Sequence, residues 1–112
     1  MTEVWYDIHV GTAVVVPDGM AKFMERVAEA VTRKRIDVVA RVRSGFWVIE
    51  VKPVCGQEAI GQALVYRDLF AREYAGVSEV VPVVVCELAE VDVIDTADEL
   101  GVLIFTIDGI LK

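Results

Sequence analysis

The 112-residue sequence is poor in the residues that build metal clusters, disulfide frameworks and membrane spans. It has one histidine and two cysteines, and Cys55 and Cys86 have neither the spacing of a zinc site nor that of a redox pair. No apolar run approaches the ~20 residues that a membrane helix needs. The N-terminus lacks the basic start and apolar block of a secretory signal. We therefore expect a cytoplasmic protein without a membrane partner, whose cysteines are reduced core residues.

Basic residues are scarce in the second half of the chain. The net charge of −7 does not show how unevenly acids and bases are distributed along the sequence. From Glu73 onward there are nine acids and one base, Lys112, whereas eight bases and four acids lie between Lys22 and Lys52. Such a distribution indicates a surface for a polyanion on the first half. Charges that merely solvate two different surfaces would give the same pattern, and charge alone favours that simpler interpretation.

Length and hydropathy predict a single α/β domain over residues 1–112. Hydrophobic residues make up 55% of the chain, above the ~45–50% usual in soluble domains, which indicates strands covered on both faces and is compatible with a subunit interface. The predicted order is ββ-α-ββ-α-β-(α)-β, a mixed sheet with helices packed on it. The elements are a hairpin over 3–16, a helix over 20–32, strands over 35–42 and 46–51, a helix over 57–74, a strand over 80–86, an acidic loop or short helix over 87–100 and a strand over 102–107.

Two of the predicted strands carry specific expectations. In the N-terminal hairpin Val4, Tyr6, Ile8 and Val10 alternate with their neighbours, so we expect these four side chains to share one face. The strand over 80–86 is apolar throughout, which is typical of a strand covered on both faces. Pro82 lies within it and favours an edge strand or a bulge.

Glu50 and Lys52 share one face of their strand, because residues two apart project to the same side. Asp37 lies on the preceding strand of the same hairpin, where partners can lie side by side. Two carboxylates on adjacent strands form a hard-oxygen site that suits Mg²⁺, and a lysine beside it can orient or help to deprotonate a water. The arrangement suits phosphodiester hydrolysis. As an isolated triplet, however, Glu50-Val51-Lys52 is more simply the exposed face of an ordinary strand, with Asp37 an unrelated surface acid.

The following helix favours the catalytic interpretation. Its run QALVY, residues 62–66, places a glutamine and a tyrosine four apart on one helical face. In this order, Asp37, EVK at 50–52 and QALVY resemble the PD-(D/E)xK nuclease superfamily, and most closely its RecB-like group, in which a Q-x-x-x-Y helix follows the E/D-x-K strand. The likeness spans roughly residues 20–86. It implies a restriction-endonuclease-like mixed sheet flanked by helices, with an α-β-β-β-α-β core behind the N-terminal β-hairpin.

The resemblance implies a role for each residue of the strand motif. Asp37 and Glu50 would bind Mg²⁺ or Mn²⁺, together with the main-chain carbonyl of Val51. Lys52 would position the nucleophilic water. These four residues would then form the centre of a single nuclease-like domain.

The resemblance also implies roles on the two helices. Gln62 and Tyr66 would line the site and contact water in the metal shell, the substrate phosphate or Lys52. Family members often complete the metal shell with an acid on the first helix, where Glu25 or Glu29 could serve; a solvated helix face explains these two acids equally well. The chain departs from the family motif at Ile36, where the motif name has proline, a change that the family tolerates.

Basic residues flank the proposed site on both sides of Asp37. They are Arg33, Lys34, Arg35, Arg41 and Arg43. They could hold flanking DNA phosphates, which position nucleic acid without reading its sequence. Solubility is the alternative explanation, and the residues alone favour it slightly.

The leading interpretation is therefore a Mg- or Mn-dependent deoxyribonuclease, a phosphodiester hydrolase of endo- or exonuclease type. A dimeric junction resolvase is a second interpretation within the same fold. A third is a nuclease-fold protein with a non-catalytic nucleic-acid-binding or assembly role, which the acidic balance favours. A phosphohydrolase of free nucleotides is disfavoured, because the sequence has no glycine-rich phosphate cradle.

Overall fold

A computed structural model of the chain describes residues 3–11, 34–76 and 78–108. Within these residues the chain forms five strands, two α-helices and a short π-helical turn. They are β1 (Glu3–Val10), β2 (Lys34–Val42), β3 (Gly45–Cys55), α1 (Gln57–Phe70), the π-helical turn (Ala71–Ala75), β4 (Glu79–Ala89), α2 (Val91–Glu99) and β5 (Leu103–Thr106). Neither of these helices is long and apolar enough to cross a membrane.

The strands form one mixed sheet in the order β1-β2-β3-β4-β5. β1, β2 and β3 pair antiparallel, whereas β3, β4 and β5 pair parallel. Parallel neighbours need a crossover connection, and α1 and α2 provide the two that this sheet requires. The predicted α/β class with a mixed sheet is confirmed.

The β2–β3 hairpin closes with a two-residue turn, Arg43–Ser44, so that Val42 pairs with Gly45. Gly45 has φ of 154°, and a Cβ at this position would lie 2.0 Å from the carbonyl oxygen of Glu79. The start of β3 can therefore approach the start of β4 only because residue 45 lacks a side chain. This close approach fixes where the two strands begin to pair.

Both helices contribute to one apolar cluster with the interior strand β4. Ala59 and Ala63 of α1 and Val93 and Ala97 of α2 are buried there with Val84. Small alanine side chains let each helix lie close to the sheet. Because both helices contribute to the same cluster, α1 and α2 cover a common face of the sheet.

The two cysteines belong to this cluster and agree with the prediction of reduced core residues. Cys55 and Cys86 are fully buried and form no disulfide. Burial, and secondarily the neighbouring Cys86, raise the pKa of the Cys55 thiol to about 11. A thiol with so high a pKa is a poor nucleophile and metal ligand at neutral pH.

A second apolar cluster lies towards β1 and β2. Phe70, the last residue of α1, is buried there with Val39 and Val48. Tyr66, one turn earlier in α1, packs against the same cluster. The helix thereby extends from the first cluster to the second along one face of the sheet.

The predicted alternation in β1 is wrong after Tyr6. Tyr6 is 68% exposed, whereas Ile8 and Val10 pack in the second cluster. The Trp5 ring contacts an aromatic ring of that same cluster, with centroids 6.3 Å apart. The change of face occurs at Asp7, a non-glycine residue with positive φ of 54°, which breaks the regular two-residue period of the strand.

Most other predicted elements agree with the structure. The helix over 57–74 corresponds to α1 and the π-helical turn, and the acidic segment contains α2. β4 is an interior strand rather than an edge strand, and it tolerates Pro82 because pairing with β5 begins only at Val83. The N-terminal β-hairpin is replaced, in the described residues, by pairing of β1 with β2. The remainder of that predicted hairpin and the predicted helix over 20–32 lie outside the described residues.

Candidate active site

The β2–β3 hairpin brings Asp37 and Glu50 together. Val38 pairs with Ile49, so the residue before Val38 falls opposite the residue after Ile49. The main-chain amide of Val51 donates a 2.9 Å hydrogen bond to Oδ2 of Asp37. This bond holds the Asp37 carboxylate against β3, beside Glu50.

Glu50 is a buried acid on a strand whose other buried residues are apolar. Its side chain is only 2% exposed, and its Oε1 atom is buried with no hydrogen-bond partner among the described residues. Burial raises the pKa of Glu50 to about 8, with further contributions from the charge of Asp37 and a hydrogen bond to it. The positive charge of Lys52 acts in the opposite direction and lowers this pKa. A carboxyl in this position needs neutralisation, either by a proton or by an external cation.

Lys52 lies on the same face of β3 as Glu50 and is half-buried. It lines a cavity of about 460 Å³ together with Gln57 and Glu58 at the start of α1 and Glu90 before α2. Lys52 thus borders an open polar groove, and its charge acts on the buried acid. A solvent molecule or a substrate oxygen can approach Lys52 from that groove.

The donor set fits a hard divalent cation. Asp37 and Glu50 supply two carboxylates, and the described part of the chain contains no group of three or more histidine, cysteine, aspartate or glutamate side chains placed to hold a metal ion. Mg²⁺ needs only one or two protein carboxylates and keeps several waters, whereas structural Zn²⁺ needs four protein ligands. The orphaned Oε1 of Glu50 is an additional reason to expect a cation here.

Gln62 and Tyr66 lie one turn apart on α1, as predicted, and both are half-buried. Burial raises the pKa of Tyr66, and the charges of Glu50, Asp37 and Glu58 raise it further. The phenol is therefore within electrostatic reach of both site acids and keeps its proton at neutral pH. Gln62 has a buried Oε1 atom without a hydrogen-bond partner among the described residues.

Glu58 is a site residue that the sequence interpretation did not include. Its Oε1 accepts a 3.4 Å hydrogen bond from Nε2 of Gln62, and it also lines the groove beside Lys52. The spacing offered a signal, because Glu58, Gln62 and Tyr66 recur every four residues and so share one helical face.

The structure distributes the predicted basic residues along β2 and its turn, all exposed. Those described are Lys34, Arg35, Arg41 and Arg43. Arg35 and Arg41 form exposed ion pairs with acids of β1, at 4.0 Å to Asp7 and 3.4 Å to Glu3. Such pairs contribute little to stability, so both guanidinium groups can exchange partners. Arg33, Glu25 and Glu29 lie outside the described residues.

The sequence matches no protein-family model and no curated protein. The chain is similar in structure to a repair endonuclease from Pyrococcus abyssi, whose crystal structure matches it with a TM-score of 0.56 and 19% sequence identity. The similarity covers 65% of this chain and 32% of that protein, so the matched region is about a third of the neighbour's length. At this identity the comparison shows a shared fold. The mixed five-stranded sheet with two helices is consistent with a restriction-endonuclease-like fold.

Proposed function

We propose that the protein is a divalent-metal-dependent nuclease that hydrolyses DNA phosphodiester bonds at a site formed by Asp37, Glu50 and Lys52. The observation that carries this proposal is the buried Glu50 carboxyl, which lies against Asp37 and has an unpartnered oxygen among the described residues. Two acids in such a position destabilise the metal-free fold unless one of them holds a proton. A cation-binding role explains why the chain keeps them.

The fold similarity to a repair endonuclease supports the same class of activity. Together with the order of the motifs, it supports membership of the PD-(D/E)xK superfamily and its RecB-like group. We extend the neighbour's class of activity to this chain because the motif residues Asp37, Glu50 and Lys52 lie on the β2–β3 hairpin of the sheet.

Asp37, Glu50 and the main-chain carbonyl of Val51 would hold Mg²⁺ or Mn²⁺. When bound, the ion supplies Lewis-acid polarisation of the phosphate and neutralises developing negative charge. The hydrogen bond from the Val51 amide to Asp37 fixes the carboxylate in advance, so little reorganisation is needed at the moment of reaction. Lys52 orients the attacking water from the polar groove, and its charge favours the ionised form of Glu50.

The helix face of α1 supplies neutral polar groups to the same site. Because its pKa is raised, Tyr66 remains a hydroxyl and can donate a hydrogen bond to a phosphate oxygen. Gln62 can accept a hydrogen bond through its buried Oε1 and is held by its contact with Glu58. These groups orient substrate and water without adding charge beside two acids.

DNA is the substrate that this arrangement fits. The exposed lysine and arginine side chains of β2 and its turn lie on the same β-strand as Asp37 or directly after it. They can contact flanking DNA phosphates, which does not require a particular base sequence. The decisive experiment is a cleavage panel on single-stranded, duplex, nicked and branched DNA, with EDTA, Mg²⁺ or Mn²⁺. Cleavage that requires the metal and is lost in Lys52→Ala supports the proposal. Full activity of the Lys52→Ala protein would refute the role assigned to the lysine.

A second candidate is an assembly role, either as a dimeric junction resolvase or as a non-catalytic binding protein. It is favoured by a group of exposed apolar side chains around α2 and β5, at the opposite edge of the sheet from β1. They include Leu88, Val91, Ile94, Leu100, Leu103, Phe105 and Ile107. Sizing in solution, with four-way junctions offered beside linear duplex, separates a dimeric resolvase from a monomeric nuclease.

A further inference from the structure

A second cavity, of about 490 Å³, lies beside β1 and is walled by aromatic side chains. Trp5, Phe46, Phe70 and Tyr74 follow one another in ring contact, with centroid distances of 6.3, 5.2 and 5.4 Å. Phe70 is buried, whereas Trp5 is 36% and Tyr74 is 52% exposed. The two outer side chains are therefore partly accessible at the rim of the cavity. Its volume lies in the range of about 300–1,000 Å³ that is typical of small-molecule sites.

Polar groups of three kinds converge on the same cavity. Asp7, His9 and Arg41 are part of its lining. The guanidinium of Arg41 contacts Glu3 at 3.4 Å, in an exposed pair that leaves most of its donors for other partners. A planar aromatic ligand with both donors and acceptors on its edge matches this combination of apolar walls and polar rim.

The cavity adjoins the candidate active site. Val39 is part of its lining and lies two residues from Asp37 on the same face of β2, about 7 Å along the strand. Asp7, at the other side of the cavity, falls opposite Asp37, because Tyr6 pairs with Val38 and Ile8 pairs with Ile36. A ligand in the cavity would therefore lie next to a nucleic-acid strand bound at Asp37.

The change of face at Asp7 is what creates this adjacency. With regular alternation, the face that carries Trp5 would not also carry Ile8. The positive φ of Asp7 instead places Trp5 and Ile8 on the side of Asp37, where both line the cavity. A strained backbone that forms part of a pocket is typical of a binding site.

We propose that this cavity receives one unpaired nucleobase of the strand whose phosphodiester lies at Asp37 and Glu50. This inference rests on the proposed nuclease function. Trp5 and Tyr74 provide stacking surfaces for the base, and Asp7 and Arg41 provide partners for its edge. A base inside a duplex is stacked and paired, so it cannot enter the cavity without leaving the helix. The site therefore favours single-stranded or locally unpaired nucleic acid.

The test measures binding in EDTA, so that cleavage does not interfere. The probe is a fluorescein-labelled single-stranded DNA of about ten nucleotides, compared with the same sequence as a duplex. Trp5→Ala is expected to weaken single-strand binding about tenfold or more, in line with the loss of one base–aromatic contact. Trp5→Phe, which keeps an aromatic ring, should retain most of the affinity and controls for loss of fold. Tyr6→Ala is the matched control, because Tyr6 is the adjacent residue on β1 and is 68% exposed.

A strand with one abasic nucleotide tests whether the contact is made by a base. Scanned along the strand, the abasic site should weaken wild-type binding at one or two positions and leave Trp5→Ala binding unchanged. Equal affinity of the Trp5→Ala and Tyr6→Ala proteins would overturn the proposal. So would equal affinity of the intact strand and every abasic strand.

Intrinsic fluorescence distinguishes a base in a strand from a free nucleotide. The sequence has two tryptophans, so Trp47→Phe leaves Trp5 as the only one. We expect this protein to be quenched by the single strand at far lower concentration than by deoxyadenosine monophosphate. Quenching by the free nucleotide alone would contradict the assignment to a strand. Failure of the nuclease proposal would give a different result. No DNA would be cleaved in the presence of metal, whereas single-strand binding would still depend on Trp5.

Discussion

The main-chain amide of Val51 donates a hydrogen bond of 2.9 Å to the Asp37 carboxylate. This bond ties an acid on β2 to the residue that lies between Glu50 and Lys52 on β3. The side chain of one strand is therefore positioned by the backbone of the next, and the geometry of the candidate site depends on the pairing of two strands.

Replacement of Lys52 by alanine should reduce metal-dependent DNA cleavage at least a hundredfold, because the attacking water loses its orienting group. Lys52 is half-buried at the edge of a groove, so its truncation should leave the circular dichroism spectrum unchanged. Arg72→Ala removes an exposed positive charge on the π-helical turn and is the charge-matched control. Comparable activity of the two variants would contradict the catalytic role of Lys52.

Asp37→Asn should abolish the heat of Mg²⁺ or Mn²⁺ binding in titration calorimetry, since an amide is a much weaker ligand for a hard cation than a carboxylate. Its side-chain oxygen can still accept the Val51 amide, so stability should be nearly unchanged. Asp37→Ala loses that acceptor as well and should cost about 1–3 kcal/mol of unfolding free energy. Asp95→Asn, on the exposed side of α2, is the control. A metal-binding heat that persists in Asp37→Asn would exclude this acid as a ligand.

Glu50 should make the metal-free protein less stable at alkaline pH. Its folded-state pKa is about 8, against an ordinary value of 4.5. Because the folded-state pKa is the higher one, the stabilising contribution is complete below 4.5 and is lost as the pH rises to about 8. We expect the unfolding free energy from urea titrations to fall by about 2 kcal/mol between about pH 6 and about pH 9.

Glu50→Gln provides the control for this pH dependence, because it places a neutral group of the same shape at the buried position. The variant should lose most of the alkaline decrease in stability. Addition of Mg²⁺ at about pH 9 should restore stability to the wild-type protein and leave Glu50→Gln unaffected. An equal pH dependence in both proteins would show that Glu50 is not the titrating group.

Two glycines should respond in opposite directions to replacement by alanine. At Gly45 the new Cβ would lie 2.0 Å from the Glu79 carbonyl oxygen, so Gly45→Ala should cost on the order of 2–4 kcal/mol through displacement of β3 from β4. At Gly61, within α1, the new Cβ would have no atom of the described residues within 4 Å apart from its chain neighbours and the helix's own backbone. Gly61→Ala should therefore gain up to about 1 kcal/mol through helix propensity. Thermal and urea unfolding measure both changes. A destabilising Gly61→Ala would indicate that a contact absent from the described residues requires the glycine.

The β2–β3 hairpin and α1, which carry the candidate site, were predictable from sequence because they depend on local, regular patterns. The β2–β3 hairpin follows from two β-rich runs around a short turn, and α1 follows from apolar spacing between Gly56 and Gly76. Once those elements are assigned, the two-residue period of strands and the four-residue period of helices place Glu50 beside Lys52 and Gln62 beside Tyr66. The burial of Glu50 was not predictable, since it depends on which face α1 covers.

The aromatic cavity was beyond sequence reasoning for a different reason. Regular alternation predicts that Tyr6 and Ile8 share a face, whereas the structure separates them at Asp7. Aspartate adopts positive φ more often than most residues do, but it does so at few positions, so an Asp within an alternating run does not predict the change of face. The contact between Trp5 and Phe46 also joins residues far apart in the chain, and periodicity within a single strand carries no information about such a contact.

The turn Arg43–Ser44 determines more than the end of a strand. Asp37 and Glu50 lie on the two strands of a hairpin whose loop has only two residues. One short, contiguous stretch of chain therefore brings the two acids together. A slip of this pairing by one residue would turn every side chain of one strand to the opposite face of the sheet, and one acid would turn with them. Val39 and Val48 are buried in the second apolar cluster, and each lies two residues from an acid on its own strand. The register that brings Asp37 to Glu50 is therefore also the register that buries these two valines.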